Sequence, residues 1–307
     1  MDSEALPHVL ILSSAEGIKE RAMNDTFVAS LNSRLDRVCQ VRWSNYHEIS
    51  FEFSNHHLQA YLINGMQPIN TFAHVYFKSY FRYFELAAAM TDVLIFNDIS
   101  FTGSELRSYI PADKLSQMSH LARGGIDIPH TVYLPSERYI DHYEWLESTC
   151  GSPFILKEIH GSAGRDNYLV RSAQQMAEII DAHPAMHFIA QTYIPNESDL
   201  RVLVIDNDIK LVIERRRQDD STHLNNTSQG GKARLIALDE VSSDVMELSL
   251  RATQLMNRDR AGVDVVVDSH TGLASVLEVN ASPQIGSGAF VAEKLDVFIA
   301  YFTGVFG

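Results

Sequence analysis

The chain holds only two cysteines, Cys39 and Cys150, far apart and outside any metal-ligand spacing. That excludes a disulfide framework and a cysteine-based zinc site, and it suits a reducing compartment. Long apolar runs are also missing: no stretch approaches the roughly 20 apolar residues of a membrane helix. The run Val9-Leu10-Ile11-Leu12, behind an acidic start at Asp2 and Glu4, is too short for a signal peptide. Basic residues are the minority, with 25 Lys and Arg against 39 Asp and Glu and a net charge of −14. A surface this acidic repels a phosphodiester backbone, which disfavours general nucleic-acid binding and leaves room for a local basic pocket for a small phosphate compound. No internal repeat, low-complexity tract or Gly-x-Ser-x-Gly elbow occurs, and His56, His57, His120, His160 and His223 share no ligand spacing. His74, beside a strand, reads as structural. These absences predict a cytoplasmic protein without membrane or nucleic-acid partner.

The chain has 307 residues, of which 45% are apolar and 21% charged, enough to build two or three compact lobes. Over residues 1–110, short apolar strands at 9–12, 38–43, 75–77 and 93–96 alternate with helices at 25–35 and 84–90, predicting a small α/β layer structure. A helix then opens at Pro111-Ala112-Asp113-Lys114, with proline in its first turn, and ends at Gly124-Gly125. Residues 153–170 read as strand, glycine loop, strand. A helix at 173–182 and a strand at 187–191 follow. Two hairpins come next, 201–205 with 209–213 and 262–267 with 273–280, separated by a polar loop over 218–234 and a helix at 245–256. A helix over 290–302 closes the chain. Hairpin-linked strands make this half α+β, not a doubly wound sheet.

The second hairpin carries the strongest chemical signal. Glu278 and Asn280 share a strand face because side chains alternate with period two. With the turn centred near His270, Asp264 falls opposite Val276 and diagonal to Glu278 on that face, within reach of a shared cation. Two carboxylates and an amide oxygen suit Mg²⁺, a hard ion that takes oxygen ligands. Lys157 closes the run Phe154-Ile155-Leu156-Lys157 just before Gly161-Ser162-Ala163-Gly164, a lysine poised beside a loop whose bare N–H groups can cover phosphates. The loop is not a Walker loop, since no Gly-Lys-Ser/Thr ends it. Arg215-Arg216-Arg217 follows one strand of the first hairpin and Asp199-x-Arg201 opens its partner, so Arg201 and Arg215 meet at one end of it. Such a basic cluster in an acidic protein points to an anionic reaction centre, or else to arginines paired with Asp219 and Asp220.

Taken in order, these parts resemble the ATP-grasp superfamily, and more narrowly its RimK-like amino-acid ligases. The matching segments are Asp113-Lys114-Leu115, Leu121 to Pro129, Asp199-Leu200-Arg201 through Glu214-Arg215-Arg216, Ala261-Gly262-Val263-Asp264 and Glu278-Val279-Asn280-Ala281-Ser282-Pro283. The resemblance covers residues 111–290 and is loose over the first 110. It implies an N-terminal α/β domain (1–110), a central lid subdomain (111–190) and a C-terminal α+β subdomain (191–307), with nucleotide between the last two. By the same resemblance, Lys114 and Lys157 hold the α- and β-phosphates, with Gly161 and Ser162 of the glycine loop over them. The hinge Gln191-Thr192-Tyr193-Ile194 offers its backbone to adenine, Asp199 lies on the ribose side, and Asn226 completes the ATP site. Asp264, Glu278 and Asn280 hold magnesium, or manganese. Arg215, with Arg201, faces the γ-phosphate and the acyl intermediate.

The implied reaction is ATP-dependent amide formation between a carboxylate-bearing peptide, protein or small molecule and an amine donor, in a homo-oligomer. Mostly charge neutralisation and positioning are needed for such phosphoryl transfer, with no protein nucleophile. A lid must shield the acyl-phosphate from water, and the Gly161 loop and segment 218–234 are the candidates. The family's Phe-Arg-x-Asn reads His223-Leu224-Asn225-Asn226 here, so an arginine is replaced by Leu224. Two other readings stand beside the ligase: a kinase on the same fold, and a degenerate nucleotide-binding regulator.

Overall fold

The structure, a computed structural model, describes residues 5–110, 113–161, 164–218, 223–225 and 231–306. In chain order its elements begin with β1 (His8–Ser13), α1 (Ile18–Asn32), β2 (Gln40–Asn45), β3 (Ile49–Ser54), β4 (His57–Leu62) and β5 (Gln67–Pro68). Then come β6 (His74–Phe77), α2 (Phe84–Phe96), β7 (Ser100–Thr102), α3 (Lys114–Arg123), β8 (Thr131–Tyr133) and α4 (Tyr143–Cys150). β9 (Phe154–Glu158), β10 (Asn167–Val170), α5 (Ala173–Ala182), β11 (Phe188–Thr192), β12 (Ser198–Ile205) and β13 (Asp208–Arg216) follow. The last are β14 (Lys232–Ile236), α6 (Ser243–Leu255), β15 (Arg260–Val267), β16 (Ala274–Asn280) and α7 (Val291–Phe306). Among the described residues no helix is long and apolar enough to cross a membrane.

The chain forms two compact units. One takes residues 1–110, 257–260 and 281–307. Its main sheet has the order β2-β1-β6-β7 with every pair parallel. Strand β1 is buried on both faces, as parallel strands under helices must be. Helix α2 runs through residues 93–96, correcting the strand expected there. No breaker precedes Asn97, and Val93 and Leu94 continue the buried stripe of Ala87 and Met90. Helix α1 begins seven residues earlier than the apolar spacing predicts, because the Glu20 carboxylate accepts from the Glu16 and Gly17 N–H groups and caps it. A three-stranded antiparallel sheet, β3-β4-β5, was not predicted, its strands being too mixed in polarity to stand out. His74 is buried, with both ring nitrogens 2.8 Å from hydroxyls of Ser100 and Thr102, as a structural histidine should be. Helix α7, expected to close the last domain, packs in this unit, with Phe298 and Phe302 against Tyr76.

The second unit takes residues 111–256 and 261–280. Residues 131–192 build the sheet β10-β9-β11-β8, and residues 198–280 build β14-β13-β12-β15-β16. The first sheet lays Phe154, Leu156, Val170 and Phe188 against Leu146, Met176 and Ile180 of α4 and α5. Helix α3 begins at Lys114 because the Asp113 carboxylate accepts from the Ser116 N–H at 2.8 Å. Pro111, expected in the first turn, lies outside the described residues. The polar loop expected over 218–234 is shorter than predicted: Lys232 to Ile236 pair with β13 as β14.

Candidate functional site

A cavity in the second unit collects Lys114, Lys157, Gly161, Tyr193, Ile194, Asp199, Asp264 and Glu278 from the predicted set. Strand alternation aims Lys157: Phe154, Leu156 and Glu158 are buried, while Ile155 and Lys157 turn to the cavity. Burial, and after it the neighbouring Lys114 ammonium, pull Lys157 down to about 8, against the opposing pull of Glu278, Asp264 and Asp199. Lys114 leads α3, donates its N–H to the Ile159 carbonyl at 3.0 Å, and donates from Nζ to the Gly161 carbonyl. The two lysines thus sit at the root of the glycine loop. A Cβ at Gly161 would lie 3.1 Å from the Arg165 carbonyl and 3.3 Å from that of Glu158, so a side chain there would need its backbone neighbours to give by a few tenths of an ångström. Ser162 and Asn226 lie outside the described residues, as do Asp219 and Asp220.

The carboxylates come from the second hairpin, and here the register differs from prediction. Asp264 lies directly opposite Glu278, and Gly262 opposite Asn280. The turn is centred half a residue later than His270, and a bulge between the Asp264 and Val265 pairs leaves Leu277 without a partner. A bulge turns two consecutive side chains toward one side, and both Leu277 and Glu278 line the cavity. With its amide oriented to satisfy both neighbours, Asn280 donates to Glu278 Oε1 at 2.9 Å and accepts from Arg201 Nη2 at 3.3 Å. Asp264 is 7% exposed, which rules out a solvated strand residue.

Behind this wall stands a chain of alternating charges. Asp199 faces Arg215 across the β12–β13 register. Arg215 Nε donates to Asp199 Oδ1 at 2.6 Å, and Arg215 Nη2 lies 3.1 Å from Asp264 Oδ1. Arg201 donates from Nε to Asp264 Oδ1 and from Nη2 to Asp264 Oδ2 at 2.9 Å, a two-pronged grip. Burial pushes the Asp264 carboxyl up, but the two guanidiniums outweigh it and hold the group below the usual carboxylate range. Asp199 is shifted upward by burial, which Arg215 offsets only in part. Arg215 is raised despite its burial by Asp264 and Asp199.

Neither arginine lines the cavity; both hold residues that do. Gln191 also stands apart, 1% exposed and donating from Nε2 to Thr131 Oγ1 at 2.8 Å inside the sheet, while Thr192, Tyr193 and Ile194 reach the cavity. Sequence reasoning missed Asn167, Asn196 and His223. His223 Nε2 lies 2.9 Å from Asn167 Oδ1, and burial, then the charge of Lys157, lowers its imidazole to about 4. Asn225 donates to Asn196 Oδ1 at 2.7 Å and accepts from the Arg217 N–H at 3.0 Å. Only tertiary contact brings Asn167 of β10 together with His223, and Asn196 with Asn225; the family pattern read at His223-Leu224-Asn225-Asn226 was the available signal.

As a donor set, Asp264, Glu278 and Asn280 offer two carboxylates and one amide oxygen in a contiguous group, which fits a hard divalent cation sharing its remaining positions with phosphate. Among the described residues no three His, Cys, Asp or Glu side chains converge into a complete protein cage. The two ammonium groups line the same cavity, and Ile155, Val266 and Leu277 give it an apolar part. The arrangement therefore suits a ligand with a flat apolar end and a polyanionic tail.

Comparison with known proteins agrees in kind. The profile of the RimK-like ATP-grasp domain matches residues 111–297. A probable alpha-L-glutamate ligase of Klebsiella pneumoniae is 33% identical over 196 residues, 61% of this chain and 63% of the relative. A ribosomal protein bS6–L-glutamate ligase of Escherichia fergusonii is 33% identical over 175 residues, 56% of each chain. The match thus spans about three fifths of the length of these curated relatives. Among solved structures, the ATP-grasp ligase PsnB, complexed with a phosphomimetic variant of its minimal precursor, Mg and ADP, superposes with a TM-score of 0.66 at 18% identity. That match covers 96% of this chain and 98% of PsnB. D-alanine–D-alanine ligase of Bacillus anthracis, complexed with ATP, superposes with a TM-score of 0.68 at 14% identity, covering 98% and 97%.

Proposed function

The chain belongs to the RimK-like ATP-grasp family, and from that premise we propose that it is an ATP-dependent ligase joining a carboxylate to an amine. The observation that carries this reading is one cavity lined together by the ammonium groups of Lys114 and Lys157 and the carboxylates of Asp264 and Glu278. The ammonium groups bind the phosphate chain, and the apolar surface of Ile155, Val266 and Leu277 receives the base beside Tyr193 and Ile194. Asp264, Glu278 and Asn280 would hold magnesium, which when bound neutralises charge on the transferring phosphate. Arg215 acts as a positioning residue, fixing Asp199 and Asp264 from behind.

In the reaction a substrate carboxylate oxygen attacks the γ-phosphorus and ADP leaves. An amine then attacks the acyl carbon of the acyl-phosphate, and inorganic phosphate leaves with the amide formed. The names of the relatives that modify ribosomal protein bS6 and of PsnB with its precursor support a peptide or protein carboxylate as acceptor and an amino acid as one candidate amine. We also read the two sheets, divided between residues 192 and 198, as the two ATP-grasp subdomains, and the cytosol as the compartment, consistent with free, buried Cys39 and Cys150.

The test is chemical trapping. Given ATP, a carboxylate acceptor and hydroxylamine in place of the amine, the enzyme should release ADP and yield a hydroxamate. A stable phosphate ester on the acceptor and no hydroxamate would identify a kinase. Nucleotide binding with no ADP release in the presence of any carboxylate and amine would identify a regulator.

A further inference from the structure

Resting on the assignment of Asp264 and Asn280 as cation ligands, we propose that Arg201 is a built-in counter-ion occupying the cation's place. The divalent cation then enters this site only together with a nucleotide. Both oxygens of Asp264 accept from Arg201, and the same guanidinium reaches the Asn280 amide oxygen at 3.3 Å. Two of the three groups assigned to the cation are thus already bridged by a positive charge of this chain.

Charge counting explains the consequence. Asp199 and Asp264 are matched by Arg201 and Arg215, and Glu278 by the nearby Lys157 with Lys114 beside it, so the set has no shortage of positive charge before any cation arrives. A bare divalent cation would add positive charge to a poorly solvated group whose carboxylates are already matched and must also displace a guanidinium, both of which oppose binding. A nucleotide polyphosphate brings more negative charge than one such cation neutralises, and it removes that opposition.

Of the two arginines, Arg201 is the one able to leave. Arg215 is 9% exposed at its side chain and gripped by two carboxylates, whereas Arg201 is 21% exposed and its ion pair among the described residues is Asp264 alone. Once released, its guanidinium is available to the anion that displaced it, which couples loading of the site to arrival of a cation at the phosphate.

Coupling between two ligands is reciprocal, so it is measured as the ratio of cation affinities with and without nucleotide. Mn²⁺, an oxygen-seeking paramagnetic substitute, is titrated into the full chain with and without ADP and followed by electron paramagnetic resonance. Wild-type protein should bind Mn²⁺ more weakly without ADP by about tenfold or more. Arg201→Met should raise the nucleotide-free affinity and shrink that ratio, and Arg201→Lys, which keeps the charge, should preserve most of it. An unchanged ratio in Arg201→Met overturns the proposal. The wild-type arm needs no substitution: equal Mn²⁺ affinity with and without ADP overturns it too. Asp264→Asn separates the two levels of inference, because Mn²⁺ binding in ADP that ignores this change removes the cation assignment itself, whatever Arg201 does.

Discussion

Asp264 stands directly opposite Glu278 in the β15–β16 register, and the bulge at Leu277 keeps Glu278 on the cavity side. Directly opposed residues lie closer than diagonal ones, so the two carboxylates converge more tightly than alternation alone predicts. Two buried-side carboxylates this close repel unless a cation lies between them, and in the structure the Arg201 and Arg215 guanidiniums bear on Asp264.

Removing either carboxylate should therefore remove catalysis while sparing the fold. Asp264→Asn or Glu278→Gln should lower ADP formation by about a hundredfold or more, the scale of losing one electrostatic stabiliser of a phosphoryl-transfer transition state. Circular dichroism should stay near wild type. Turnover within a few-fold of wild type at ordinary magnesium would contradict the cation assignment of that residue.

Arg215 makes a different prediction from the one its sequence position offers. Its place after a hairpin strand reads as a charge facing substrate, yet it is 7% exposed and holds Asp199 and Asp264. Arg215→Met leaves the buried Asp199 without its ion-pair partner, while Asp264 keeps Arg201, and breaking such a buried pair costs about 3–5 kcal/mol. The melting temperature should fall by on the order of 10 °C. Adding Asp199→Asn should restore part of the loss, since the uncompensated charge goes. A melting curve unmoved by Arg215→Met would show that the charge chain does not hold this region.

At Gly161 the constraint is steric. A side chain there meets the Arg165 and Glu158 carbonyls, so Gly161→Val should shift this backbone and with it the Gly161 carbonyl that Lys114 Nζ contacts. Such overpacking costs about 1–3 kcal/mol. The loop's phosphate-side geometry is what yields, so ATP affinity measured by calorimetry should fall by roughly tenfold. Unchanged affinity would release the glycine loop from the nucleotide site.

Much of this site was legible in the sequence because it depends on short-range pattern. Asp264, Glu278 and Asn280 sit on one hairpin, and Lys157 sits on a strand whose alternation decides its side. What escaped depends on contacts between distant segments. Turn length and the Leu277 bulge each move the register by one residue in the same direction, from Val276 to Glu278 opposite Asp264, and no local spacing encodes them. Arg215 could be placed at one end of its hairpin, but not beside Asp264, because nothing in β12 and β13 states that β15 is their neighbour. Asn167 meets His223 across 56 positions for the same reason. In the first unit, residues 93–96 show the opposite failure: an apolar run reads as strand or helix alike, and only the unbroken stripe from Ala87 decides it.

Lys157 supplies a pH-dependent test. Burial and Lys114 lower its ammonium to about 8 in the nucleotide-free protein, and a bound phosphate would raise it again. The sign follows from that order. Below pH 8 the lysine is charged with or without ATP, and affinity owes nothing to pH through this group. As pH rises past 8 the free protein loses the proton while the complex keeps it, so affinity should decline by about tenfold per pH unit until the raised value is reached. Measurements above about pH 7.5 avoid the terminal phosphate's own ionisation. Calorimetry in buffers of different ionisation heat should then register uptake of up to one proton per ATP bound between pH 8 and 9. Lys157→Met should abolish that uptake and weaken ATP at pH 7.5 by about ten- to a hundredfold, the loss of a charge-assisted contact. His223, held near 4 by burial and Lys157, is neutral throughout this range, so His223→Gln should leave the uptake intact. Proton uptake that persists in Lys157→Met, or disappears in His223→Gln, would assign the titrating group to another residue.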